Sequence, residues 1–144
     1  DATETGAGFD YRVWGVPLGR RFRALKLWFV MRWYGLSGIR AYLLEHVRLA
    51  ELIEQRVLAD DRFELLAPRT MNLVCFGLRA GNDATADLMA RVNSSGKAYL
   101  THTTIPLPDG TNRYAIRMAI GATMTEERHA TETWDLIARA AETA

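Results

Sequence analysis

AYLTHTTIPLPDGTNRYAIRMAI, residues 98–120, is the stretch that decides the architecture. Ala98 to Ile105 reads as a strand. Pro106 to Asn112, with Pro108-Asp109-Gly110 inside it, reads as a turn: proline presets one backbone angle, aspartate bonds nearby backbone, and glycine accepts the left-handed region. Arg113 to Ile120 then alternates and returns antiparallel, because so short a connection cannot join parallel strands. Upstream, Phe63 to Leu66 is a short apolar run closed by Pro68, and Asn72 to Leu78 reads as a well-buried strand. Between the strand pairs, Asn82-Asp83 is expected to cap a helix bearing Leu88, Met89 and Val92, with Gly96 at its C-terminal end. Beyond them, Thr123 and Glu126 have capping-box spacing before a last helix carrying Ala130, Trp134, Ile137 and Ala141. The order β-β-α-β-β-α predicts an α+β layer, an antiparallel sheet with its helices on one face.

Two long helices precede this layer. Arg20 to Tyr34 contains no breaker, and its apolar residues nearly encircle it, so it should be buried on more than one face. Gly35 ends it. Ser37 is the expected N-cap of a second helix of about 20 residues, with Ile39, Tyr42, Leu43, Val47, Ala50, Ile53 and Val57 on one face. Asp60-Asp61 closes that helix in a turn. Before both, Phe9 to Val16 reads as a brief strand stopping at Pro17-Leu18-Gly19.

Composition narrows the function classes. The 144 residues are 49% hydrophobic and 24% charged, with net charge +1, as in an ordinary globular domain or a domain plus part of another. No run approaches the ~20 apolar residues of a membrane span. Cys75 has no second cysteine to pair with and sits in an apolar run, which fits a buried thiol in a reducing compartment. Asp1 to Gly8 is small, acidic and glycine-bearing, without initiator Met or signal features, and reads as the remnant of a loop in something longer.

The densest chemical feature is GRRFRALKLWF, residues 19–29. Cations mixed with aromatics can grip nucleic acid, a basic amphipathic helix can lie on a membrane or a partner, and a core helix can pair its arginines internally. The balanced charge of the chain argues against nucleic acid. His46, His102 and His129 share no metal-ligand spacing. Amine chemistry would need Lys26, beside Arg23, or Lys97, in an expected turn; both read better as surface lysines. Taken alone, the chain holds no complete catalytic set.

Asp10-Tyr11-Arg12-Val13-Trp14, then Pro17 through Phe29, Tyr34-Gly35 and Gly38-Ile39-Arg40-Ala41-Tyr42 resemble the aromatic L-amino-acid decarboxylase family. Asp61-Arg62-Phe63-Glu64, Leu73-Val74-Cys75-Phe76 and Ile116 to Gly121 resemble it in the same order. The resemblance covers essentially everything beyond residue 8. It implies the aspartate-aminotransferase-like fold type I of pyridoxal 5'-phosphate (PLP) enzymes. Residues 1–24 would end the PLP-binding large domain, 25–60 would be connecting helices, and 61–144 the C-terminal small domain. The cofactor is a sink for the electrons released as a substrate carboxylate leaves; the groups that hold it are implied to lie upstream of this chain.

The resemblance also places candidate residues. Leu18 and Gly19 match a segment that reaches the substrate side chain across a dimer interface. Glycine there goes with indole or catechol substrates, and serine with tyrosine or histidine. Arg117 matches a small-domain arginine near the active site, able to support the cofactor region electrostatically. No residue of the segment is implied to be catalytic. The implied partners are the rest of the same polypeptide, a second subunit and an aromatic amino acid, with neither nucleic acid nor membrane, in the cytoplasm. Relatives that are aldehyde synthases share the fold, and a stand-alone partner-binding α+β module is the reading outside enzymes. The role of the 106–112 turn is open. The arginine-aromatic helix should be covered; if it lay bare to solvent with no companion segment packed over it, the enzyme reading would collapse.

Overall fold

The computed structural model describes residues 22–107 and 110–143. The expected strand at Phe9–Val16, Leu18, Gly19, Pro108 and Asp109 lie outside the described residues. The chain parts into two compact units, Asp1–Ile39 and Arg40–Ala144.

In the first unit the described residues are helical from Arg23 onward, within α1 (Arg23–Leu58). Gly35 is the one residue of α1 off helical geometry, at φ 65° and ψ 175°. That region is essentially open to glycine alone. The break expected there is present. Ser37, expected to cap the following helix, lies within α1 instead, because the turn is made by the glycine backbone and not by a side-chain cap. The burial expected of the arginine-aromatic helix is not found among the described residues. Phe22, Leu27, Trp28, Phe29, Met31 and Trp33 are all more than half exposed, Trp33 at 83%. A helix apolar on most sides needs polypeptide on most sides, and the described residues do not supply it.

The second unit is the expected α+β layer. Residues 40–58 of α1 lead to β1 (Phe63–Leu65), β2 (Leu73–Leu78), α2 (Asn82–Ser94), β3 (Thr101–Pro106), β4 (Asn112–Ala119) and α3 (Glu127–Ala140). The sheet order is β1-β2-β4-β3, antiparallel throughout. Alternation sends Val74, Phe76, Leu78, Ile116 and Met118 to one face, where they share a core with Leu49, Ile53 and Val57 of α1, Leu88 and Val92 of α2, and Trp134 and Ile137 of α3. Phe63, Phe76 and Trp134 pack edge-on or tilted, with centroids 5.1 to 6.0 Å apart. Arg48 pairs with Glu127 at 2.9 Å and Arg56 with Asp135 at 3.5 Å, holding α1 alongside α3. The Tyr42 hydroxyl donates to the Gly121 carbonyl at 2.8 Å, tying the start of this stretch to the β4–α3 loop.

Two caps differ from expectation. α2 takes Gly81 as its N-cap, with no side-chain cap bond. The Asn82 side chain is drawn away to β4, where it accepts from the Tyr114 N–H and donates to the Asn112 carbonyl. α3 has its capping box on Glu126 and His129, not on Thr123 and Glu126. Gly96 closes α2 in the left-handed region, φ 68°, as its position suggested. No helix among the described residues is long and apolar enough to cross a membrane.

Candidate functional site

Arg117 stands in the middle of β4 between Ile116 and Met118, which point into the core; alternation turns Arg117 to the sheet face away from the helices. Its cross-strand partners there are Cys75 on β2 and Thr101 on β3. Burial pushes the Cys75 thiol above its ordinary range, and the Arg117 charge only partly offsets this. Cys75 is therefore a buried, protonated thiol, as its apolar run implied.

From Arg117 a cavity of about 330 Å³ runs along the ends of β3 and β4 to the start of α3. Its walls include Tyr99, Thr101, Ile120, His129 and Thr133. Arg117 makes no ion pair among the described residues, so its guanidinium is available to an anion. A guanidinium stays protonated at any working pH. It can hold or stabilise negative charge, and it cannot shuttle a proton.

The neighbouring histidine has a defined role that spacing did not reveal. The backbone N–H of Glu126 donates to His129 Nδ1 at 3.0 Å, so the ring closes the first turn of α3. Glutamate or glutamine usually fills that position, and a histidine three residues after Glu126 was the available signal. His46 is 3% exposed and packs edge-on against Tyr42, at 4.2 Å between ring centroids. His102 stacks on Tyr114 at 4.5 Å. No three metal-ligating side chains come together among the described residues.

The described residues do not make a complete PLP site. Arg117 suits a carboxylate or phosphate, but the cavity beside it contains neither lysine. Lys26 lies on the exposed helix of the other unit, and Lys97 is exposed between α2 and β3. An amine to hold the cofactor covalently is not in place, and no catalytic step can be derived from these residues alone. Of the candidate site residues, the structure describes only Arg117.

Comparison with known proteins supplies the frame. The family model "Pyridoxal-dependent decarboxylase conserved domain" matches residues 2–79. Tryptophan decarboxylase 2 of Oryza sativa subsp. japonica is 43% identical over 143 residues, covering 94% of this chain and 28% of that protein. Phenylacetaldehyde synthase of Arabidopsis thaliana is 41% identical, again across 94% of this chain and 28% of its own length. The crystal structure of Oryza sativa TDC with PLP and tryptamine superposes with a TM-score of 0.80 at 37% identity, covering 99% of this chain and 31% of that one. The chain thus spans less than a third of the proteins it matches. With fold and sequence in agreement over nearly its whole length, the chain belongs to the pyridoxal-dependent decarboxylase family.

Proposed function

We propose that this chain is the C-terminal part of a PLP-dependent carboxy-lyase that converts an aromatic L-amino acid, tryptophan or a dopa- or tyrosine-like one, to its amine and carbon dioxide. The observation that carries this reading is the 43% identity to a tryptophan decarboxylase along 94% of the chain. On this reading residues 1–24 end the cofactor-binding large domain, 25–60 are connecting helices and 61–144 form the small domain. The rest of the polypeptide holds the cofactor, and a second subunit completes the pocket. The segment alone is inactive on this reading, since neither of its lysines lines the cavity at Arg117.

Leu18 and Gly19 form pocket wall against the substrate side chain, and the small Gly19 leaves room for an indole or catechol ring. Arg117 supports the cofactor and substrate region through its unpaired charge. On this reading the exposed apolar helix is an internal face of the larger protein. Its aromatic residues are covered, on this account, by the remaining polypeptide and the second subunit. The buried, unpaired thiol of Cys75 is in keeping with a cytoplasmic protein.

A second reading is favoured by the similarity to aldehyde synthases, among them the phenylacetaldehyde synthase of Arabidopsis thaliana. It keeps the fold and cofactor and changes the product to an aldehyde. Incubating the complete protein with L-tryptophan and L-dopa separates the two. Equimolar amine and carbon dioxide support the decarboxylase. Aldehyde with peroxide assigns the synthase, and neither product refutes both.

A further inference from the structure

α3 is flanked by a second groove, next to the Arg117 cavity and sharing His129 and Thr133 with it. It has a volume of about 400 Å³ and is lined by Lys97, His129, Glu132, Thr133, Leu136 and Arg139. Positions 129, 132, 133, 136 and 139 form one stripe of the helix, and Lys97 faces them from the α2–β3 connection. The whole groove belongs to the Arg40–Ala144 unit.

Its charge pattern is unusual for this chain. Among the described residues, seven of the twelve lysine and arginine side chains in Arg40–Ala144 are ion-paired. Of the five that are not, Lys97 and Arg139 line this groove and Arg117 the adjoining cavity. One carboxylate, Glu132, also lines the groove; it makes no ion pair among the described residues, since Arg128, one turn earlier, is bonded to Glu126. His129 adds a donor: with Nδ1 accepting from the Glu126 N–H, the neutral ring carries its proton on Nε2. The Thr133 hydroxyl hydrogen is already given to the His129 carbonyl, at 2.7 Å. The groove therefore sets two cations and a histidine donor against one carboxylate, with the apolar Leu136 in the same lining.

We propose that this groove binds a small organic anion, with a carboxylate or phosphate between Lys97 and Arg139, a hydrogen bond from His129 Nε2, and an apolar body against Leu136. Because His129 also lines the Arg117 cavity and caps α3, a ligand there bears on both. The test is an amide-resolved NMR titration of the complete protein, isotope-labelled only over these 144 residues, with benzoate, phenyl phosphate and neutral benzamide. The expected result is saturable shifts at Lys97, His129–Thr133 and Arg139 with an anion and none with benzamide; whichever anion binds tighter identifies the acid group. Replacing both exposed cations, Lys97→Gln with Arg139→Gln, should weaken binding about tenfold or more, since charge-assisted contacts are lost. Lys97→Arg should retain it. Unsaturable shifts, binding by the double variant equal to that of the parent, or shifts centred on Arg117 would overturn the proposal.

Discussion

Trp134→Ala should remove a large part of the stability of the Arg40–Ala144 unit. Trp134 is 5% exposed and meets the rings of Phe63 at 5.1 Å and Phe76 at 5.9 Å, so one α3 side chain holds the helix to two strands. Burying an indole removes roughly 150–250 Å² from water, worth about 4–6 kcal/mol at about 25 cal/mol per Å². Two aromatic contacts add roughly 0.5–1.5 kcal/mol each. Alanine keeps part of the burial and the site relaxes, so truncations of this kind cost about 3–5 kcal/mol. A domain of this size has only about 5–15 kcal/mol in total. Urea unfolding followed by far-ultraviolet circular dichroism measures the loss, and Trp134→Phe should recover much of it. A cost below about 1 kcal/mol for Trp134→Ala would refute the packing argument, because so small a value marks a surface position.

Three further outcomes follow. Met71 holds φ 52° in the tight turn where Thr70 and Leu73 exchange backbone hydrogen bonds, so Met71→Gly should raise stability by about 0.5–1 kcal/mol in thermal melts. A loss there would contradict the assigned strain. The Arg62 guanidinium holds the Asp60 carboxyl below the usual carboxylate range; its stabilisation is fully present above the unfolded value and lost as pH falls through the folded one. Asp60→Asn should therefore cost about 0.5–1 kcal/mol at neutral pH, a modest figure because the pair is partly solvent-screened, with the difference closing in acid; a difference independent of pH would show that the charge is not responsible. In the complete protein, Gly19→Ser should lower kcat/KM for L-tryptophan relative to L-tyrosine, and an unchanged ratio would remove Gly19 from the pocket.

Much of the layer was legible in the sequence because local chemistry decides it. The 98–120 hairpin follows from one turn and two alternating runs, and the break at Gly35 follows from a backbone angle that other residues resist. The same alternation turns Arg117 away from the core. The caps were less legible, since several acceptors competed and the outcome depended on contacts distant in sequence. Asn82 reaches β4 instead of capping α2, and His129 fills a place usually taken by glutamate. The cover over the arginine-aromatic helix could not be read from this stretch at all. Apolar residues around a helix state that cover is needed, and only the polypeptide that provides it can say from where.

Hydroxyl-radical footprinting of Trp28, Phe29, Met31 and Trp33, compared between this chain and the complete protein, addresses the central claim most directly. These side chains should react readily in the chain alone, where all four are more than half exposed. In the complete protein their reactivity should fall to that of Trp134. Equal reactivity in both would mean that nothing covers the helix, and that it is not part of a larger enzyme core.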